Sequence, residues 1–472
     1  MKNVEVIIIG AGSAGLSALR EVRKRTDSYL LINDGAWGTT CARVGCMPSK
    51  LLIEAANAFH RRHHFEEFGI AGGTQLQVDL KHVLQRVRRL RDGFVASTLK
   101  TTEALPERTI SGRARLLSPN QVIVNGEKYS AQRIIVATGS RPIVPAGWRD
   151  FGERLLTTDS LFEQDMFPKR MAVIGMGPVG LEMAQALSRL GVRVSGFGAH
   201  PMIGGISDAV VNQTAVSLLS TEFPLYLGEQ ADLANGPQEE TIIVRAGDTE
   251  IEVDSVLAAL GRRPNIDDIG LEALGVQLDE RGLPPVDPNT MQIADLSVFL
   301  AGDMNQYLPV LHEAADEGHI AGLNAVLNEP VCFRRRTPLT IVFSDPNIAT
   351  VGQSYQALAA ENIQIGEVSF DNQGRARSAQ RNRGILRVYA DTNSGQLLGA
   401  ELCTPAGEHF AHLLALAISQ SLTVWDLLRM PFYHPVLEEG LRTALRNLAT
   451  KLPACSESDL AACESLNSEA LD

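Results

Sequence analysis

The stretch VEVIIIGAGSAGLSALREVRKRTDSYLLIND (residues 4–34) joins a short apolar run, a glycine turn, an amphipathic helix and a second apolar run. An apolar run of this length without alternation reads as a strand buried on both faces. Gly10, Gly12 and Gly15 follow it at G-x-G-x-x-G spacing. The first glycine makes the tight turn, the second lets a pyrophosphate approach the backbone, and the third lets helix pack on strand. The diphosphate then lies at the helix N-terminus. MAVIGMGPVGLEMAQALSRLGVRVSGFG (171–198) repeats the arrangement with Gly175, Gly177 and Gly180. A single glycine motif is weak; two in strand-turn-helix context, one opening the chain, predict two dinucleotide-binding folds.

The rest of the composition agrees. A chain of 472 residues exceeds one hydrophobic core and predicts two to four domains. Hydrophobic residues make up 44% and the 41 glycines point to many tight turns, as in nucleotide-binding α/β proteins. A net charge of −12 argues against nucleic acid as a partner. The basic runs HRRHH (60–64), RVRRLR (86–91) and FRRR (333–336) are explained by solvated helix faces or salt-bridged loops. No apolar run reaches the roughly 18 residues of a membrane helix, and the opening apolar run flows into the glycine motif without a cleavage site. These features predict a soluble, cytoplasmic protein.

In such a compartment a close cysteine pair reads as catalytic or metal-binding. CARVGCMPSK (41–50) holds one, Cys41 and Cys46, with no second pair nearby to complete a zinc site, so no metal is expected. In a regular helix, positions five apart lie too far from each other for a disulfide. The pair closes only where the helix is distorted. Gly45 permits unusual dihedrals, and Pro48 removes the donor that would otherwise bond the Val44 carbonyl. A bridge under that constraint reads as switched rather than structural.

Past residue 330 the pattern changes. LTIVFSDPNIATVGQS and GILRVYADTNSGQLLGAEL read as alternating strands joined by turns at DPN and TNSG, with helices at about 406–420 and 436–450. HPVLEE (434–439) supplies a histidine with a carboxylate close by. A thiol must lose its proton before it attacks a disulfide, and a carboxylate that fixes the imidazole tautomer makes histidine a fitting base. Pro435 suits a first helical turn, which would place His434 at the helix mouth and Glu439 about one turn on.

Two dinucleotide folds with a C-x4-C pair just after the first resemble the class I pyridine nucleotide-disulfide oxidoreductases. The resemblance runs in order from about residue 4 to 450. ATGSRP (137–142) is similar to the family's strand end leaving the FAD domain, GRRPN (261–265) to its nicotinamide-domain exit, VFLAGD (298–303) to its second FAD motif, and HPVLEE to its H-P-x-x-x-E.

The resemblance implies an α/β fold: two Rossmann-like dinucleotide-binding domains, for FAD and NAD(P), and a C-terminal α+β dimerisation domain. Its implied boundaries are 1–150 for the first part of the FAD domain with the redox pair, 151–270 for the NAD(P) domain and 271–332 for the returning FAD segment. The dimerisation domain follows at 333–452 and a mobile acidic tail at 453–472.

By the same resemblance Cys41 is the thiol facing the substrate and Cys46 the one against the flavin, while His434 and Glu439 reach Cys41 from the other subunit of a homodimer. Lys50 lies near the flavin with Glu182 as its ionic partner. FAD is held by Gly10, Gly12, Gly15, Asn33, Asp34, Lys50, Ala114, Thr138, Gly139, Ser140 and Asp303; the nicotinamide nucleotide is held by Gly175, Gly177, Gly180, Gly198 and Gly261.

Several positions depart from the family pattern. Asn33, followed by Asp34, stands where an acidic residue holds the FAD ribose. Gly198 stands where an acid would mark NAD and a basic cluster NADP; His200 is the nearby candidate. Without an arginine pair for a 2′-phosphate, NAD is the expectation and NADP is not excluded. Arg43 replaces an asparagine in the redox loop, and Val436 and Glu438 depart from small polar residues. CMPSK looks more like the lipoamide and mercuric branches than the glutathione branch, so dihydrolipoamide is the first choice, with any lipoyl domain on a separate protein. The alternatives are a reductase of another disulfide or of Hg(II), with tail cysteines Cys455 and Cys463 as a relay, and a flavin-bearing redox sensor without turnover.

Overall fold

A computed structural model describes residues 2–238 and 240–453. The tail expected at 453–472, with Cys455 and Cys463, falls almost wholly outside the described residues. The chain divides into two compact units: one comprises the chain up to Ala55, Asp79–Phe167 and Leu260–Arg335, the other Ala56–Val78, Pro168–Ala259 and the chain from Arg336 onward.

The first unit is built on five parallel strands in the order Thr109–Ser111, Tyr29–Asn33, Lys2–Ile9, Glu127–Val136, Val298–Leu300. The opening strand is central, as its apolar run requires. Side chains alternate between faces, so Val6 and Ile8 enter one core layer and Ile7 and Ile9 the other. On one face the helix Ser13–Val22 packs against the helix Leu311–Asn324 at backbone distance. A Cβ on Gly318 would stand 2.1 Å from the Ala14 carbonyl oxygen, and one on Gly322 2.6 Å from that of Ala18. Toward the other edge the sheet continues as antiparallel strands Gln121–Val124 and Ala114–Ser118. Ala114, an expected FAD contact, is buried there opposite Val124.

The second unit holds the repeat. Its parallel strands Leu225–Leu227, Arg193–Gly198, Arg170–Ile174 and Ser255–Ala258 lie in that order, with the helix Pro178–Arg189 leaving the glycine turn. An antiparallel sheet follows, ordered Leu339–Val342, Asn347–Gly352, Leu397–Thr404, Ile385–Asp391, Ile363–Ser369. Phe370, Phe410, Leu414, Leu441 and Leu445 are buried with it, from the sheet's edge and the helices Gly407–Ser419 and Glu439–Ala449. The last helix begins three residues later than its sequence pattern suggests, because 434–438 form a loop with a cis His434–Pro435 peptide. Pro435 therefore does not occupy a first helical turn, and Glu439 opens the helix instead of lying one turn inside it.

The basic runs are spent locally. Arg62 lies over the Phe59 ring, 3.4 Å from its centre. Arg88 bonds the carbonyls of Phe162 and Gln164, and Arg91 pairs with Glu163.

Both glycine turns share one geometry. A Cβ on Gly15 would lie 1.8 Å from the Gly10 carbonyl oxygen, and one on Gly180 1.8 Å from that of Gly175. Gly12 and Gly177 instead face open space. Gly15→Ala should therefore destabilise the cofactor-free protein by about 1–3 kcal/mol, whereas Gly12→Ala should leave it within about 0.5 kcal/mol of the parent. Denaturant unfolding of the two apoproteins checks the contrast.

Candidate active site

Cys41 lies in the short helix Thr40–Arg43, which Thr39 caps by accepting from Ala42 N–H at 3.1 Å. Cys46 opens the next helix, Cys46–His60. Between them Val44 leaves the helical region, with φ −136° and ψ 5°. At Gly45 a Cβ would stand 3.1 Å from the Thr40 oxygen and 3.2 Å from the Cys41 Cα. The absent side chain lets the loop fold back so that the two sulfurs face each other at near-disulfide distance. The break at Val44 and Gly45 provides the distortion that the spacing demands. Pro48 has a different part: it sits in the first turn of the second helix, where its missing N–H leaves no intrahelical bond unmade.

The electrostatics of the pair are uneven. Hydrogen bonding to Cys46 raises the Cys41 thiol above the ordinary cysteine range, burial adds to the rise, and the Lys50 charge opposes it. A thiol raised in this way needs a base before it becomes a nucleophile. Cys46 lies at a helix N-terminus, where the dipole favours a thiolate.

The second unit holds a histidine–carboxylate pair. His434 Nδ1 is 2.9 Å from Glu439 Oε1 and 3.2 Å from Oε2, and the Val436 N–H also bonds Oε2 at 3.2 Å. An ionised carboxylate only accepts, so Nδ1 carries the proton and Nε2 presents its lone pair outward. The hydrogen bond from His434 holds the Glu439 carboxyl below the usual range. The imidazole is 81% exposed in the single chain, which leaves Nε2 free to serve another surface.

Gly10, Asn33, Thr138 and Asp303 lie at or just past the C-terminal ends of parallel strands, whereas Ala114 stands in an antiparallel strand and Lys50 in a helix. Ser140 Oγ donates to Asp303 Oδ2 at 2.7 Å, and Arg262 secures Ser140 through both its hydroxyl and its carbonyl. Thr138 and Asn265 exchange two hydrogen bonds, at 2.8 and 2.9 Å. Gly139 and Gly261 lie at opposite ends of the ribbon formed by Ser140–Pro142 and Arg262–Pro264. The GRRPN motif does not by itself single out Arg262 or Asn265, because a motif does not show which side chains reach across the ribbon.

Asn33 turns inward. Its Oδ1 accepts the Ala11 N–H at 3.0 Å and its amide points at the carbonyls of Asp34, Gly35 and Ala36, which leaves Asp34 as the exposed acid at that strand end. Lys50 lies in the first turns of the Cys46–His60 helix, while Glu182, buried in the Pro178–Arg189 helix, accepts the Phe343 N–H at 3.0 Å.

Gly198 is closed over. A Cβ there would meet Leu227 Cδ2 at 2.9 Å and Met176 Cβ at 3.4 Å, and His200 is exposed two residues beyond. Both glycine-turn helices begin without a side-chain cap, at Gly12 and Gly177, beside the open space described above. Unspent N–H donors at a helix start with room for an anion are what a dinucleotide diphosphate requires. The residues present therefore fit two such cofactors.

The model of the pyridine nucleotide-disulphide oxidoreductases matches residues 4–318, and that of their dimerisation domain matches 339–445. The chain belongs to the pyridine nucleotide-disulphide oxidoreductase family. It is 33% identical to the dihydrolipoyl dehydrogenase of Thermus scotoductus over 95% of this chain and 98% of that one. It is 30% identical to the dihydrolipoyl dehydrogenase of Haloferax volcanii, over 94% and 96%. A mercuric reductase of Shigella flexneri is 30% identical over 93% of this chain and 80% of that one.

Among solved structures, LpdA from Mycobacterium tuberculosis superposes with a TM-score of 0.81 at 23% identity, covering 95% of this chain and all of that one. A Cu(II) complex of the flavoprotein disulfide reductase RclA from Escherichia coli superposes with a TM-score of 0.81 at 21% identity, covering 94% and 99%. At those identities the superpositions show the fold alone.

The protein is thus a flavoprotein disulfide oxidoreductase that uses FAD and NAD(P), with two Rossmann-like domains and the family's dimerisation domain, which marks it as a homodimer subunit. No helix among the described residues is long and apolar enough to cross a membrane.

Gly12→Ala and Gly177→Ala separate the two cradles. On the expected assignment of the first turn to FAD and the second to the nicotinamide nucleotide, the first should weaken FAD retention by about 1–3 kcal/mol and the second should raise the nicotinamide KM by about 5–150-fold. Flavin-to-protein absorbance ratios and steady-state kinetics read them independently.

Proposed function

We propose that the protein is a dihydrolipoamide dehydrogenase, oxidising a small dithiol at the Cys41–Cys46 pair and delivering the electrons to NAD. The observation that carries this reading is the pairing of a close redox-loop dithiol with an exposed His434–Glu439 dyad in one chain of this family.

In the oxidised enzyme Cys41 and Cys46 form a disulfide. One thiol of the substrate loses its proton to His434 Nε2 of the partner subunit and attacks Cys41, giving a mixed disulfide and releasing Cys46 as a thiolate. The second substrate thiol then displaces Cys41, closing the substrate disulfide and passing its own proton to the departing Cys41 sulfur, while His434 keeps the first proton as imidazolium. Two electrons have entered the protein as two reduced sulfurs. Bound FAD supplies the relay by which those electrons reach the nicotinamide as hydride.

Glu439 stabilises the imidazolium while it holds the proton, and Lys50 favours negative charge on the sulfurs. Gly10, Gly12, Gly15, Asp34, Ala114, Thr138, Gly139, Ser140 and Asp303 hold FAD. Gly175, Gly177, Gly180, Gly198 and Gly261 hold the nicotinamide nucleotide. A separate protein carrying a lipoyl group is the natural source of such a dithiol.

Anaerobic titration of the oxidised holoenzyme with one equivalent of dihydrolipoamide should expose two protein thiols and raise a long-wavelength absorbance of thiolate against flavin, and added NAD should remove both. Inert dihydrolipoamide, together with NADPH-driven consumption of Hg(II), would replace this reading with the activity named for the Shigella flexneri relative. His434→Gln should lower kcat with dihydrolipoamide by about 10²–10⁴-fold and leave reduction of the flavin by NADH intact, which stopped-flow absorbance resolves.

A further inference from the structure

The turn at 302–305 carries Asp303, and a carboxylate outside every motif quoted above supports it. Glu317 lies in the helix Leu311–Asn324 and is 1% exposed. Its Oε2 accepts the Gly302 N–H and the Asn305 side-chain amide, each at 2.7 Å. These two donors flank Asp303 on either side. The other oxygen, Oε1, accepts from Arg335 at 2.8 Å, and the same guanidinium bonds Glu313 and the Pro288 carbonyl and lies over the Tyr307 ring.

Burial raises the Glu317 carboxyl above its usual range, while Arg335 and the two N–H donors oppose the shift. A carboxylate is an expensive group to bury unless it is paired and hydrogen-bonded. Here every bond it makes either fixes the turn or neutralises the charge. The turn has little slack on its other flank: Gly302 adopts φ +83°, and a Cβ there would meet that of Ala14 at 2.9 Å. Ser140 holds Asp303 from its own side.

We infer that Glu317, clamped by Arg335, is a positioning residue for FAD: it locks the 302–305 turn so that Asp303 is presented to the flavin without reorganisation. The inference rests on the reading of Asp303 as a flavin-holding residue. Glu317, almost fully enclosed by the chain, offers no surface to a cofactor. Its effect passes through the Gly302 N–H and the Asn305 amide, which it holds in place.

The test compares Glu317→Gln and Arg335→Gln with the parent holoenzyme. FAD is stripped and the apoprotein titrated with FAD by flavin fluorescence, with the apoprotein thermal midpoint recorded in parallel. The expected result is an FAD Kd raised about tenfold or more in either variant, beyond what any lowering of the apoprotein midpoint accounts for. A parental Kd in both variants overturns the inference, as does a loss of FAD that only tracks a lowered midpoint. If Glu317→Gln is not recovered folded, Arg335→Gln decides by the same two results. Asp303→Ala, titrated alongside, tests the underlying reading: if it binds FAD like the parent, the assignment of Asp303 fails, whereas weakened binding there with parental binding in the latch variants refutes the latch alone.

Discussion

The Gly10 carbonyl oxygen occupies the place that a side chain on Gly15 would need, and the same contact recurs between Gly175 and Gly180. This close approach of strand end to helix start aims the uncapped first turn of each helix at open space beside Gly12 and Gly177. Much else in the first unit serves the same approach. Gly318 and Gly322 bring a second helix onto the backbone of Ala14 and Ala18, which carries the 302–305 turn to the edge of the first cradle. A methyl group at any of these contacts would force apart elements whose separation is set by backbone atoms.

The redox loop works by a related economy of side chains. With no Cβ at Gly45, the chain doubles back and presents Cys41 to Cys46, while the start of the second helix supplies a favourable field at Cys46. Once reduced, the pair is chemically asymmetric, since the hydrogen bond to Cys46 raises the Cys41 thiol above the ordinary cysteine range. The second unit holds His434 beside Glu439. Glu439 fixes the proton on Nδ1 and leaves Nε2 as a base on an exposed surface, which suits a site completed by a second subunit better than one buried within a single chain.

Much of this was legible in the residues. Apolar runs of strand length, glycine spacing and the C-x4-C pair each impose a local geometry that can be read without coordinates. Proline was read less well. Pro48 suggested a distorted helix and proved to begin one, and Pro435 suggested a helix start and proved to lie in the loop before it. Proline constrains its own φ and removes one donor, and both an ending and a beginning satisfy that local demand. Asn33 was similarly ambiguous: its amide can accept from a ligand hydroxyl or from the chain, and it accepts the Ala11 N–H.

By itself the sequence determined the two dinucleotide folds, the redox pair and the histidine–carboxylate spacing, because each depends on residues within about 30 positions of one another and on backbone rules that hold in any fold. Tertiary structure decided which polar groups cross between distant segments. Arg262 binding Ser140, Asn265 exchanging bonds with Thr138, and Arg335 clamping Glu317 beneath the Asp303 turn join residues whose proximity arises only when the chain returns to the first sheet after residue 260. The closure of Gly198 by Met176 and Leu227 belongs with them, since no reading of a strand end shows what packs against it.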